Sequence, residues 1–290
     1  MICRFIALFS WFILFIGCQP SSSSKLKSTS IDQSIRIVSL SPSTTELIAL
    51  YAGPKYLKGR TQSCNHPEWV KNIPVVAFIK PNYEKLAEIA PTHIIYDAHL
   101  YSTYDIQKLQ VIGAKLIPVE STKLEDFFLW LTKIKAEFPH IFSPERYIYK
   151  LQRSLDHHSY PLHPRSNAIK VALLYEDGLY REYYMAGTKT FQADLLKKLG
   201  CNVVGPHSHQ FEKMSTESLV SLNPDLIFTV EHPNVITQDP RLKSIQAVQC
   251  HQVYQIKADI LHRIGGRVDQ LVLIFDNYLK NFISSGVCKK

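Results

Sequence analysis

The chain has no Cys-x-x-Cys pair and no cysteine–histidine spacing of a zinc site. Its six cysteines, Cys3, Cys18, Cys64, Cys201, Cys250 and Cys288, stand far apart and define no metal centre. Gly-x-Gly-x-x-Gly, Gly-x-x-x-x-Gly-Lys, Gly-x-Ser-x-Gly and Asp-x-Asp are all missing. A catalytic reading would therefore have no named nucleophile, base or phosphate cradle. A net charge of +8 comes without any block of lysines or arginines. Scattered cations make no nucleic-acid footprint, so no nucleic-acid partner is expected. Long apolar runs are absent apart from one at the N-terminus, which excludes a polytopic membrane protein. With 290 residues, 46% of them hydrophobic, the chain can bury one large core or two modest ones.

The single apolar run, Phe5 to Ile16, follows Arg4 and is interrupted only by Ser10. Its length is that of a signal-peptide core rather than of a membrane span. It ends in Phe15-Ile16-Gly17-Cys18, the form of a lipobox with Phe where Leu is usual, so residues 1–17 are expected to be a lipoprotein signal peptide and Cys18 the lipidated N-terminus. An ordinary cleaved signal or an uncleaved anchor is the alternative. The serine-rich segment to Ser34 is expected to be a flexible tether, residues 18–34. Export would leave Cys64, Cys201, Cys250 and Cys288 in an oxidising compartment, with no pairing readable from sequence.

Glu84-Lys85-Leu86-Ala87-Glu88-Ile89-Ala90-Pro91 and Glu217-Ser218-Leu219-Val220-Ser221-Leu222-Asn223-Pro224 share the pattern Glu-x-Leu-x-x-(Ile/Leu)-x-Pro, and each runs into an apolar strand. Two such units about 130 residues apart point to a duplicated structure, its halves facing each other as two jaws. Leu86 with Ile89, and Leu219 with Leu222, lie on one helical face, and the proline stops the helix. In both copies the glutamate opens the helix near the positive end of its dipole.

Alternating strand and helix patterns predict an α/β fold of two lobes, each a central parallel sheet flanked by helices. The expected division is residues 35–122 for the first lobe, 123–167 for a helical connector and 168–290 for the second lobe. The connector carries a helical period over Leu124 to Phe138. A second one follows the cap Ser143-Pro144-Glu145, and a long connecting helix is expected there. His157, His158 and His163, set among prolines, read as a surface turn.

Ligands of parallel sheets lie outside the carboxyl ends of the strands. In the first lobe that places Ser41, Ser43, Asn65, His66, Asp97 and His99 at a site, with Cys64 and Tyr101 beside them. In the second it places Tyr175, Tyr180, Tyr183 and Tyr184 in a tyrosine-rich loop, together with His207, His209 and His232. Aromatic side chains with polar tips suit a ring-bearing ligand; the alternative is that half of them fill the space under the loop. His207 and His209 could ligate a metal carried by a bound chelate, or belong to a solvated turn. No intrinsic metal site or cofactor is expected.

Three stretches carry a resemblance: Arg36-Ile37-Val38-Ser39-Leu40-Ser41-Pro42-Ser43-Thr44-Thr45-Glu46-Leu47, Gly59-Arg60-Thr61-Gln62-Ser63-Cys64-Asn65-His66-Pro67, and the paired Glu-to-Pro segments. Through them residues 35–284 resemble the solute-binding proteins of ABC importers for cobalamin, haem and ferric siderophores, the helical-backbone or class III group. The second stretch is most similar to members labelled cobalamin-binding. The resemblance implies a non-enzymatic, lipid-anchored monomer on the periplasmic or extracytoplasmic face of a bacterial membrane. It would hold a metal chelate between lobes joined by one rigid helix and deliver it to a permease with its ATPase. It further implies that Glu84 and Glu217 dock onto arginines of the permease, one per lobe. A haem or ferric-siderophore receptor of the same fold is the alternative within the group. Outside it stand an enzyme of two α/β lobes, such as a glycosyl-transfer enzyme, and a surface adaptor that no longer transports.

Overall fold

The computed structural model describes residues 34–158 and 169–285. The leader, Cys18 with its expected lipid, the tether up to residue 33, His163 and Cys288 lie outside them. The first sheet is built from β1 (Ile37–Ser39), β2 (Leu57–Thr61), β3 (Val75–Ala77), β4 (His93–Asp97) and β5 (Lys115–Val119). Their order is β3-β2-β1-β4-β5, every pair parallel. Helices α1 (Pro42–Tyr51), α2 (Tyr83–Ile89) and α3 (Thr103–Val111) make the crossovers. Ile37, Val38, Ile94 and Ile95 are fully buried. Such β-branched runs suit central strands covered on both faces.

After α4 (Leu124–Glu137) and α5 (Glu145–His158) come β6 (Lys170–Glu176), β7 (Tyr183–Ala186), α6 (Phe191–Lys198), β8 (Asn202–Val203), β9 (Phe211–Met214) and α7 (Thr216–Leu222). The chain finishes with β10 (Leu226–Thr229), α8 (Asn234–Thr237), α9 (Gln246–Gln249), β11 (Val253–Gln255), α10 (Ala258–Leu261) and α11 (Val268–Ser285). The second sheet runs β11-β10-β6-β7-β9, with β8 beside β6. Here the expectation of a wholly parallel sheet needs correction. β11, β10, β6 and β8 are mutually parallel, but β7 is antiparallel to β6 and to β9. The stretch read as a tyrosine-rich loop is in fact a hairpin. Asp177 accepts from the backbone N–H of Tyr180 at 2.8 Å and of Glu182 at 3.3 Å, and Gly178 has φ +65°, which closes a turn too short for a parallel return.

The repeated segment takes the same form twice. α2 is capped by the Asn82 side chain and α7 by that of Ser215; both helices have seven residues. They end at left-handed residues, Ala90 (φ 47°) and Asn223 (φ 45°), each just before its proline. A residue preceding proline is disfavoured in the right-handed helical region, so the turn reverses there.

α4 is the strut between the lobes. Near its start the Leu124 N–H donates to Asp194 of α6 at 3.0 Å and Phe127 meets Phe191 edge-on at 5.9 Å. At its end Glu137 pairs with Lys115 at 2.5 Å and His93 at 3.2 Å. Fourteen residues span about 21 Å at the usual rise. The helix expected after the Ser143-Pro144-Glu145 cap is α5, of 14 residues, separated from α4 by Pro139 and Pro144. α5 packs against α11, with Lys150 on Asp269 at 2.5 Å. One continuous apolar cluster runs from Ile37 and Ile95 through Phe127, Leu131 and Leu151 to Leu173, Phe228 and Phe275. Both sheets and both connector helices thus share a core. No described helix is long and apolar enough to cross a membrane.

Candidate functional site

The carboxyl ends of the two sheets meet at α1 and the segment from α10 to α11. Glu46, 1% exposed, lies on α1 and receives both nitrogens of an Arg267 fork: Nη2 at 2.6 Å and Nε at 3.2 Å. Arg263 adds Nη1 at 3.0 Å. The same Nη1 donates to Asn65 Oδ1 at 2.7 Å, and Nη2 to the Ser63 carbonyl at 2.9 Å. Arg267 also reaches Asp259 Oδ2 at 3.0 Å and its carbonyl at 2.9 Å. Burial alone would lower the Arg267 pKa; the hydrogen bonds and charges of Glu46 and Asp259 reverse this and leave it raised. Gly265 and Gly266 let the backbones close up. A Cβ on Gly265 would stand 2.9 Å from the Ser43 carbonyl oxygen, and one on Gly266 would strike Leu50 at 2.4 Å.

The first-lobe candidates fall into three situations around this junction. Ser41 is buried and caps α1, its Oγ accepting from the Thr44 N–H at 3.3 Å, so its side chain is committed to the fold. Ser43 and Asn65 touch the second lobe directly, through Gly265 and Arg263. His66 lines a recess of about 370 Å³ with Leu50, Tyr51, Tyr147 and Arg267. Its pKa is lowered, first by burial and next by the Arg267 charge, with Glu46 and Asp259 opposing. Asp97 and the exposed His99 form a local pair at the end of β4, the His99 N–H donating to Asp97 Oδ1 at 2.9 Å. Cys64 is buried between Thr45 and Thr61, each hydroxyl 3.0 Å from its Sγ, and Tyr101 donates to the Leu40 carbonyl at 2.8 Å. Among the described residues, no disulfide joins Cys64, Cys201 and Cys250 to one another.

In the second lobe the pleat divides the tyrosines. Tyr175 and Tyr184 face one side and stack at 5.2 Å with their rings nearly parallel. Phe211 and His262 join them, with Phe211 at 5.5 Å from Tyr175 and His262 at 5.4 Å from Phe211. Tyr183 points the other way. It is buried among Leu174, Met185 and Ile236, and its hydroxyl donates to Asp239 at 2.7 Å. Its ring fills space under the hairpin and does not front the crevice. Tyr180 is exposed at the hairpin tip. His207, His209 and His232 are exposed; His207 stands 3.4 Å from Thr188 Oγ1 and His232 accepts from the Asn234 N–H at 3.3 Å. Among the described residues no group of three or more His, Cys, Asp or Glu is gathered to hold a metal ion. Glu84 and Glu217 are exposed in the first turns of α2 and α7.

Sequence reasoning missed Arg263, Arg267, His262 and Phe211, and assigned no role to Glu46. A signal was present in Arg263-Ile264-Gly265-Gly266-Arg267, two arginines four apart around a glycine pair. His262 leads straight into Arg263, so the aromatic group of Tyr175 and the Asn65 loop meet adjacent residues of the α10–α11 segment.

A two-lobed α/β molecule with a short strut and strand-end loops facing across a crevice is the architecture of a periplasmic binding protein. The family model for periplasmic binding protein matches residues 37–260, and the chain belongs to that family. It is similar to the uncharacterized ABC transporter substrate-binding lipoprotein YvrC of Bacillus subtilis (strain 168), 24% identical over 242 residues, covering 80% of this chain and 76% of YvrC. Among solved structures it is similar to the periplasmic vitamin B12 binding protein BtuF of Vibrio cholerae (TM-score 0.70, 19% identity, 85% of this chain and 96% of BtuF). It is also similar to the periplasmic heme-binding protein RhuT from Roseiflexus sp. RS-1 (TM-score 0.71, 19% identity, 84% and 98%). An ABC transporter substrate-binding protein from Listeria monocytogenes EGD-e aligns with TM-score 0.70 at 16% identity, over 86% and 99%. At these identities the solved structures establish the shared fold.

Proposed function

We propose that the chain is the extracytoplasmic solute-binding lipoprotein of an ABC importer, anchored through Cys18. It captures a cobalamin-type or iron-chelate ligand between its lobes and hands it to the permease without chemistry. The observation that supports this reading is the Glu46–Arg267 junction, which ties α1, at the carboxyl end of β1, to the α10–α11 segment that follows β11. Strand-end loops of both lobes can then grip one ligand, and a strut of 14 residues limits closure to a small rocking motion. The exposed Glu84 and Glu217, in matching positions of the repeat, suit one charge-assisted contact per lobe with permease arginines.

A haem or ferric-chelate cargo is the second reading, favoured by the aromatic group of stacked Tyr175 and Tyr184 with Phe211 tilted against Tyr175 and His262 edge-on to Phe211. Titrating the purified chain with cyanocobalamin, haemin and a ferric catecholate, each followed by its own absorbance, separates the cargoes. Saturable binding of one of the three is expected; no binding of any at micromolar protein sinks the capture reading. Reversing both charges, Glu84→Lys with Glu217→Lys, is expected to abolish uptake while leaving ligand affinity within about twofold. Unchanged uptake overturns the docking roles.

A further inference from the structure

Each lobe holds large apolar side chains out into water beside its expected docking glutamate. In the first lobe these are Phe78 and Ile79, 71% and 90% exposed; in the second, Leu179 is 75% exposed. Isolated exposed apolar residues need no explanation. Val111 and Leu129 are as exposed but lie along helices; these three instead stand in closed turns beside the starts of α2 and α7. Phe78, Ile79 and Lys80 bulge from a turn pinned by the Ala77–Pro81 bridge, by the Asn82 N–H donating to the Val76 carbonyl at 2.7 Å, and by Gln62 N–H on the Ala77 carbonyl at 2.8 Å. Leu179 sits in the β6–β7 turn, where its own N–H donates to the Asp177 carbonyl at 2.7 Å and Asp177 N–H to the Glu182 carbonyl at 3.0 Å. Neither turn can fold its apolar residues inward without losing those bonds.

Both turns adjoin the acidic positions. The first runs through Asn82, the cap of α2, into Glu84. The second is tied to α7 through Arg241, whose Nη2 donates to the Arg181 carbonyl at 3.4 Å and which belongs to the Pro240–Leu242 turn packed against α7. β9 runs parallel to β6, since both oppose β7, so α7 starts at the sheet edge where the hairpin turns. The geometry points to Phe78, Ile79 and Leu179 as apolar contacts of the same docking surface as Glu84 and Glu217, each lobe offering a carboxylate and an apolar knob to the permease. The partner surface pairs arginines with apolar recesses in both halves. A mixed surface of this kind combines charge for orientation with desolvated apolar anchors for residence time. The inference rests on the importer reading above.

The test measures binding of the ligand-loaded chain to its cognate permease–ATPase complex in nanodiscs, in parallel with haemin and cyanocobalamin titrations and binding to vesicles of phosphatidylglycerol. The triple variant Phe78→Ser, Ile79→Ser, Leu179→Ser should weaken permease binding at least tenfold, with ligand affinity within twofold and an unchanged melting temperature. The conservative triple Phe78→Leu, Ile79→Leu, Leu179→Ile should restore it to within threefold. Permease affinity unchanged in the serine triple overturns the inference. So does a loss confined to ligand binding, which would make the knobs lips of the crevice, or a loss confined to vesicles, which would make them lipid contacts. Glu84→Lys with Glu217→Lys is the control. If charge reversal abolishes binding while the serine triple does not, only the apolar contacts fail; if neither matters, or the unaltered chain does not bind the permease, the importer reading fails with them.

Discussion

Removing the Glu46 carboxylate tests whether the lobes are clasped as described. Glu46 is almost wholly buried and takes three guanidinium contacts within 3.2 Å, from Arg267 and Arg263. Deleting one partner of a buried ion pair leaves the other uncompensated and costs about 3–5 kcal/mol. In Glu46→Ala, Arg267 would keep Asp259 and Arg263 would keep Asn65 and the Ser63 carbonyl, which sets the expectation at the lower end, about 3 kcal/mol. At about 2–4 °C per kcal/mol for a domain of this size, the melting point should fall by roughly 6–12 °C. Urea denaturation of the soluble chain gives the free energy. The pair Glu46→Leu, Arg267→Met removes both charges, so its loss should undershoot the sum of the single losses by about 1 kcal/mol or more. A Glu46→Ala loss below about 1 kcal/mol would refute the reasoning, because a charge so placed cannot be lost cheaply unless water already reaches it.

Phe127 joins α4 to α5 and to α6, with edge contacts to Tyr147 and Phe191, and is fully buried; Phe127→Ala should cost about 3–5 kcal/mol in the same assay, and a loss under about 1.5 kcal/mol would mean the seam collapses around the gap. The Arg241 hydrogen bond, aided by that of Tyr183, holds the Asp239 carboxyl down at about 2. A depressed folded pKa stabilises above the unfolded value near 3.8 and is lost as pH falls toward 2, so Asp239→Asn should cost up to about 2 kcal/mol at pH 7, reduced by solvent around the half-exposed Arg241, and converge with the parent between about pH 4 and 2. A constant difference across that range would contradict it. Burial pushes the Cys201 thiol up to about 12; iodoacetamide at pH 8 should leave it unmodified in the folded chain and label it in urea, and rapid labelling when folded would show that the site opens.

Much of the architecture was legible locally. β5 and β6 begin where the apolar runs begin, and α4 covers the helical period that starts at Leu124. The duplicated Glu-to-Pro segments emerge as two helices with the same cap, the same left-handed exit and a following strand, because capping and proline chemistry act over a few residues. The hairpin was hidden for the opposite reason. Tyr183-Tyr184-Met185-Ala186 obeys a period of two only once β6 is beside it, and four residues carry too little pattern to separate strand from aromatic loop.

Composition and spacing by themselves determined two sheets, their order of helices and the pair of exposed acids, since each is written in contiguous residues. Only the tertiary structure decided that Glu46 clasps Arg263 and Arg267, and that Tyr183 supports the hairpin while Tyr175 stacks on Tyr184 across the other face of the sheet. Those assignments depend on Arg263, Arg267 and Asp239, which lie 56 to 221 residues along the chain from their partners. A contact between such distant groups leaves no periodicity in either segment, because its free energy comes from burial that exists only after both lobes have closed on a shared core.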